Sequence, residues 1–304
     1  MCFGMRLALV VNPSAGTFRR LPLAPTVDAI VAALRHQGHQ VEVSVPRRRD
    51  IPAILSGLAT RSDIDAVIAG GGDGTILTAI LAGLGTDKPL GLLPLGTLNL
   101  FARDLGLPLD PVEAAVVIAR STPAEIDLAE VNGHPFAIWA SLGMHPWTVR
   151  RRDKLQREGQ PKWRAFALAA LRALRRYPMV TATLTAGGES LSIRTPMVVI
   201  SNNAWREEAP PLSRQALDRG ELVVHVAKAS SRWDVIKLAV NALLGRWKTN
   251  RLLRTLTAEE VRVTCRHGRM MVSLDGEVTV LRTPLVFRTR PKALRVLMPP
   301  RETR

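Results

Sequence analysis

The run Ala66-Val67-Ile68-Ala69-Gly70-Gly71-Gly72-Asp73-Gly74-Thr75-Ile76, residues 66–76, decides the fold of the first half of this chain. A short, wholly apolar strand enters three glycines and an Asp, and a helical pattern over Ile76–Leu84 follows at once. Strand, glycine turn and helix in direct succession are one unit of a parallel α/β sheet. The same rhythm continues on both sides. Upstream, the apolar run Met5–Val11 ends in the turn Asn12-Pro13-Ser14-Ala15-Gly16. Helical spacing over Thr26–Gln37 then stops at Gly38, Val41–Val45 alternates as a strand, and Ile51–Thr60 returns to helical spacing. Downstream, Leu90–Leu93 reads as a strand, Pro94-Leu95-Gly96-Thr97-Leu98-Asn99 as its turn, and Pro111–Arg120 as a helix.

In a parallel sheet, the turns at 12–16, 70–75 and 94–99 leave the same carboxyl-end edge, which is where ligands bind. Glycines there let backbone N–H groups approach a phosphate, and the following helix N-terminus adds favourable partial charge. The pattern is neither the GxxxxGK[ST] phosphate loop nor the GxGxxG dinucleotide fingerprint. Asp73 suits a magnesium ion, directly or through water, and equally suits a capped tight turn. Asn12, Thr75, Thr97 and Asn99 offer short hydroxyl and amide groups to phosphate, ribose or water, or serve as turn residues.

Beyond about residue 125 the rhythm changes. Short β-branched runs separated by turns, among them Val180–Thr185, Leu222–Ala227, Val261–Arg266 and Met270–Leu274, predict an antiparallel sandwich. The expected domains are an α/β unit over residues 1–125 and a β-sandwich over 126–289; composition leaves open which of them the strand-like end of the chain joins. Leu274-Asp275-Gly276-Glu277 is a hairpin signal, Asp-Gly between strands, and also a pair of carboxylates able to act as a kinase's proton acceptor.

The chain carries 42 basic and 26 acidic residues, for a net charge of +16, with 46% hydrophobic residues. That apolar content excludes a disordered chain. Two cysteines, Cys2 and Cys265, exclude a disulfide scaffold and a four-thiolate zinc site, and point to a reducing compartment. No apolar run reaches the length of a membrane span, and the opening residues read as a first strand and not as a signal peptide. The charge is uneven. Residues 1–149 hold 11 basic and 13 acidic side chains, whereas residues 150–176 hold 10 against 2 and residues 232–254 hold 6 against 1.

Taken in order, NPSAG (12–16), GGGDGT (70–75), PLGTLNLFARDLGLP (94–108), LDRGEL (217–222) and LDGE (274–277) resemble the diacylglycerol kinase catalytic-domain family, which includes bacterial lipid kinases and the sphingosine and ceramide kinases. The resemblance covers nearly the whole chain, although GGDGT is shared with NAD kinases. It implies an α/β nucleotide-binding domain followed by a β-sandwich, with the end of the chain, about 290–304, returning to the first domain, and ATP- and magnesium-dependent transfer of a γ-phosphoryl group to the hydroxyl of diacylglycerol or a related lipid. By the same resemblance, Asn12, Pro13, Ser14, Ala15, Gly16, Gly71, Gly72, Gly74, Thr75, Thr97 and Asn99 contact nucleotide. Asp73 organises magnesium and phosphates, Glu277 beside Asp275 accepts the proton, and Asp218 is a candidate ligand of a structural metal.

Several positions depart from the family pattern. Leu100 stands where the family often has an Asp, Leu77 and Thr78 replace an Asn and a Glu, and Arg219 replaces the second Asp of an Asp-Asp-Gly. Ser44 is the nearest counterpart of a nucleotide-contacting Thr.

Two segments, about 161–176 and 232–247, read as basic amphipathic helices bearing Trp163, Trp233 and Trp247. Their apolar stripes either pack on the sandwich or lie on an anionic membrane surface. The expected protein is a cytoplasmic kinase, peripheral on the inner membrane face. The alternatives are an NAD-kinase-like enzyme with a soluble substrate, an inactive lipid-binding relative, and a basic nucleic-acid binder. The last is disfavoured because no nucleic-acid-binding module is present.

Overall fold

A computed structural model describes residues 4–206, 213–214, 216–229, 231–243 and 251–300. The chain divides into two compact units: residues up to Ile126 together with those from Lys292 onward, and Asp127–Pro291.

The first unit is an α/β layer structure. Its elements are β1 (Arg6–Val11), α1 (Leu23–His36), β2 (Gln40–Ser44), α2 (Ile51–Ala59), β3 (Ala66–Gly71), α3 (Asp73–Gly83), β4 (Leu90–Pro94), α4 (Leu100–Asp104) and α5 (Pro111–Ala119). The strands pair in parallel in the order β2-β1-β3-β4, and Val296 near the chain's end pairs in parallel with Leu90. β3 and β4 are buried along their whole length, as expected of strands covered by helices on both faces. In register, Val11 lies opposite Gly70 and Gly71 opposite Pro94, so the turns after β1, β3 and β4 leave the sheet at one level.

β5 (Thr122–Val131) leads into the second unit, where β6 (His134–Phe136) and β7 (Trp139–Gly143) precede two helices, α6 (Met144–Arg157) and α7 (Lys162–Arg176). The strands β8 (Val180–Ala186), β9 (Glu189–Thr195), β10 (Met197–Asn202) and β11 (Leu222–Ala227) follow, then α8 (Arg232–Leu243). The strands β12 (Leu253–Ala258), β13 (Glu260–Thr264), β14 (Arg269–Leu274), β15 (Glu277–Arg282) and β16 (Leu285–Met298) complete the chain. One sheet runs β12-β11-β10-β7-β14-β15, all antiparallel. A second joins β16, β13, β8 and β9. Alternate residues of β8, Val180, Ala182, Leu184 and Ala186, turn into a core shared with Leu142, Ile200, Val224 and Phe287, and the intervening threonines turn outward. Phe136 meets Phe287 edge-on, with ring centroids 6.4 Å apart.

The helices hold two findings. The whole of α6 escapes sequence periodicity, because MHPWTVRRRDKLQR has no apolar stripe and buries only Pro146, Val149 and Leu155. In α7 the buried stripe is the small one, Ala165, Ala169 and Ala173 packed against α6, while Trp163, Phe166 and Leu171 are exposed. Of the second basic segment, α8 is described as far as Leu243; Leu244, Arg246, Trp247 and Lys248 lie outside the described residues. Among the described residues, no helix is long and apolar enough to cross a membrane.

Candidate active site

Three turns at the carboxyl edge of the first unit's sheet are stitched together by their backbones. Asn12 N–H donates to the Gly70 carbonyl (2.8 Å), Leu95 N–H to the Gly71 carbonyl (3.0 Å), and Thr17 N–H to the Leu95 carbonyl (3.0 Å). Glycine makes this proximity possible. A Cβ on Gly96 would sit 2.5 Å from the Gly72 Cα, and one on Gly72 would sit 3.3 Å from the Gly96 Cα, so two loop backbones touch where any side chain would part them. A Cβ on Gly74 would meet nothing within 4 Å. The loop is thus closed against its neighbours at Gly72 and open at Gly74.

Side chains complete the framework. Asn12, buried, donates from Nδ2 to Thr75 Oγ1 (2.9 Å), and its Oδ1 accepts from Ser14 N–H (2.9 Å). Asn99 sits in the left-handed region (φ 51°) and folds back on its own turn, accepting from Gly96 N–H (2.8 Å) and donating to the Gly96 carbonyl (3.1 Å). Asp73 bridges two turns: one oxygen accepts from Leu100 N–H (2.7 Å) and the other from Asn99 N–H (3.2 Å), satisfying the first N–H groups of α4. Asn12, Thr75 and Asn99, expected to face a ligand, therefore tie the loops together. Ser14, Gly74 and Thr97 are the exposed members of the set. Gly16 approaches Thr97, Pro13 and Ala15 fill the first turn, and Ser44 ends β2 beside Val10. Gly72, the N-cap of α3, brings no side-chain cap; its carbonyl accepts from Thr75 N–H (2.8 Å) and Ile76 N–H (3.0 Å), and the N–H groups of Asp73 and Gly74, which precede the helix's own acceptors, are left to a ligand or solvent.

In the second unit, Asp275 and Gly276 form the β14–β15 turn with φ of 47° and 90°, as a two-residue hairpin with both central residues left-handed requires. The Asp275 carboxylate points inward and accepts from Ala137 N–H (2.6 Å), Ile138 N–H (2.8 Å) and Trp139 N–H (3.0 Å). Desolvation pushes its pKa up, while the three N–H donors and the Arg214 guanidinium pull it back. With its oxygens held this way, Asp275 positions the approach to β7. Glu277, two residues on, is exposed at the start of β15.

Three residues that sequence reading passed over organise the 217–220 loop. Asp127, 1% exposed, accepts from Gly220 N–H (2.6 Å); Asn203 (φ 67°) accepts from Arg219 N–H (3.1 Å); and Asn202 donates to the Asp127 and Ala137 carbonyls. The one advance signal was two adjacent asparagines at a strand end, which is a turn signature. Asp218 itself is exposed, and among the described residues no group of three or more His, Cys, Asp or Glu side chains is gathered for a metal. Arg219 places a cation next to Asp218, where the family pattern has a second carboxylate.

Comparison with known proteins agrees with this architecture. Residues 6–131 match the diacylglycerol kinase catalytic domain, and residues 140–298 the YegS C-terminal NAD kinase β-sandwich-like domain. An uncharacterised Synechocystis protein is 27% identical over 227 residues, covering 71% of this chain and 51% of that relative, so the match spans about half of the relative's length. A Pseudomonas aeruginosa protein named "Probable lipid kinase YegS-like" is 50% identical over 54 residues, 18% of each chain. The crystal structure of a diacylglycerol kinase from Bacillus anthracis superposes with a TM-score of 0.71 at 19% identity, covering 99% of both chains.

Proposed function

Because the chain belongs to the lipid-kinase family defined by a diacylglycerol kinase catalytic domain followed by a YegS-type β-sandwich domain, we propose that it transfers the γ-phosphoryl group of ATP to a lipid hydroxyl, with diacylglycerol the first acceptor to test. The observation that supports nucleotide binding most is the loop cluster: Gly72 packed on Gly96, an uncapped α3 N-terminus, and open space at Gly74. These are the features of a phosphate cradle. In the reaction the acceptor oxygen forms the new P–O bond, the bond to ADP breaks, and the hydroxyl proton passes to a base.

Each residue then has a task. The Gly72–Thr75 segment, with Gly16 and Thr97, holds the phosphates, while Asn12, Thr75 and Asn99 keep the loops rigid around them. Asp73 fixes the 96–100 turn and presents the carboxylate of this edge. Glu277 takes the proton, and Asp275 holds the turn from which it projects. Asp73, a single carboxylate whose oxygens accept from Asn99 and Leu100 N–H, would hold a magnesium ion through retained waters and not as a cage. Such an ion, when bound with the nucleotide, would neutralise phosphate charge.

The test is transfer of labelled γ-phosphate from ATP to a panel of lipids in mixed micelles, with NAD as a soluble acceptor in parallel and Asp73→Asn and Glu277→Gln as folded controls. Labelled lipid, lost in both variants, is the expected result. Labelled NAD without labelled lipid would replace the lipid reading, and no transfer to any acceptor would point to an inactive relative. Full activity in Glu277→Gln would remove only that residue's role.

A further inference from the structure

The second unit exposes what a water-soluble helix normally hides. α7 packs on α6 through Ala165, Ala169 and Ala173, leaving Trp163 72% and Phe166 48% exposed, with Leu171 also exposed. α8 repeats the inversion, burying Leu238 and exposing Trp233 (72%), Ile236 and Val240. The two helices meet: Arg232 Nη2 donates to the Arg175 carbonyl (2.9 Å), and the Tyr177 hydroxyl donates to the Ala229 and Ser231 carbonyls (3.0 and 3.2 Å). At the C-terminal end of α7, where Arg232 of α8 meets it, α6 and α7 enclose a shallow groove of about 520 Å³ lined by Trp147, Arg151, Arg172, Arg175 and Arg176. Among the described residues none of these arginines pairs with a carboxylate, although α6 does form Arg152–Asp153 and Lys154–Glu158 pairs. Four like charges beside one tryptophan repel one another unless an anion joins them.

We propose that this face docks onto an anionic phospholipid bilayer, the groove receiving a headgroup phosphate while Trp163, Phe166 and Trp233 enter the interface. Guanidinium groups match phosphate oxygens in planar, bidentate fashion, and Trp favours the headgroup level. The exposed apolar residues include aliphatics, Leu171, Ile236 and Val240, which suit acyl chains and give nucleic-acid bases no stacking platform. Exposure and charge carry this surface on their own, and it deepens the lipid-kinase reading by supplying the place where a membrane-resident acceptor is met.

The test is flotation of the full chain, without nucleotide, on phosphatidylcholine vesicles with and without phosphatidylglycerol. The expected result is salt-sensitive binding to the phosphatidylglycerol vesicles alone. Each basic residue at such a surface is worth about fivefold in affinity, so Arg172→Ala, Arg175→Ala and Arg176→Ala together are expected to weaken binding on the order of a hundredfold. Trp163→Ala with Phe166→Ala is expected to weaken it about tenfold or more. All five side chains are exposed, so circular dichroism is expected to be unchanged. Equal binding to both vesicle types, undiminished binding of the arginine variant, or salt-sensitive capture of an RNA oligonucleotide with no vesicle binding would each overturn the proposal. Absence of vesicle binding by the unaltered chain, with intact phosphorylation of micellar lipid, would sink this surface alone, and vesicle binding without phosphorylation of any lipid would sink the kinase reading alone.

Discussion

Gly74→Ala separates the phosphate-cradle reading from ordinary packing. Gly74 is the second residue of α3, and a Cβ there meets nothing within 4 Å, so the protein itself does not resist the methyl group. Replacing a helical Gly by Ala removes a penalty of up to about 1 kcal/mol. For a unit of this size that raises Tm by roughly 2–5 °C. If the open side of Gly74 is where phosphate oxygens approach the α3 N-terminus, the same methyl group occupies ligand space. Overpacking by one methyl group costs about 1–3 kcal/mol, which is roughly a 5- to 150-fold loss of ATP affinity. Gly96→Ala is the opposite case. Its Cβ would lie 2.5 Å from the Gly72 Cα and 2.7 Å from Asn99 Oδ1, both inside any allowed contact, so it is expected to destabilise the apo protein as well. The assay is thermal unfolding with and without ATP, where ligand at a hundred times its Kd adds about 2.7 kcal/mol. A Gly74→Ala protein that is stabilised and still gains the full wild-type increment from ATP would refute the cradle.

Other residues make separate claims. Asn12→Ala deprives Thr75 Oγ1 and Ser14 N–H of their partner and is expected to cost about 1–3 kcal/mol in urea unfolding without nucleotide; an unchanged midpoint would return Asn12 to a purely ligand-binding role. Asp275→Ala strands three inward N–H groups and is expected to lose about 3–5 kcal/mol, with Asp275→Asn recovering part of it; a fully stable alanine variant would disprove the positioning role. His225, 7% exposed, stacked on Trp205 and bonded to Thr255, has its pKa lowered to about 4 by burial. The fold therefore holds it neutral, and stability present above its unfolded pKa near 6.5 is lost as pH falls toward 4. At about pH 5 the loss is about 2 kcal/mol. His145, also lowered to about 4, acts in the same direction, whereas the raised Asp275 acts in the opposite one, so the measurement is the difference in Tm between wild type and His225→Asn at about pH 7 and pH 5. An equal acid-induced fall in both proteins would remove His225 from the account.

Much of the fold follows from local pattern. Apolar strands ending in glycine or asparagine turns, each followed by helical spacing, specify parallel α/β order because only that topology returns every strand to the same edge. The Asp-Gly hairpin at 275–276 is equally local, since both residues must take positive φ. α6 was hidden because helix formation there rests on packing against α7 and the sheet and not on an apolar stripe of its own. The division of labour within the candidate site was hidden for a related reason: Asn12, Thr75 and Asn99 have the same chemistry whether they face phosphate or one another, and only the tertiary structure says which partner is within 3 Å.

By itself the sequence determined the two-part architecture, the three turns that share an edge, and the concentration of positive charge in two short segments, because periodicity, turn chemistry and charge are properties of neighbours along the chain. The tertiary structure decided which atoms those neighbours face. It turned Asp73 into the tie between two loops and Asp275 into the anchor of an approach to β7. It set α7 on its alanines with its tryptophan outward, an orientation that helical spacing leaves open because both stripes have the same period.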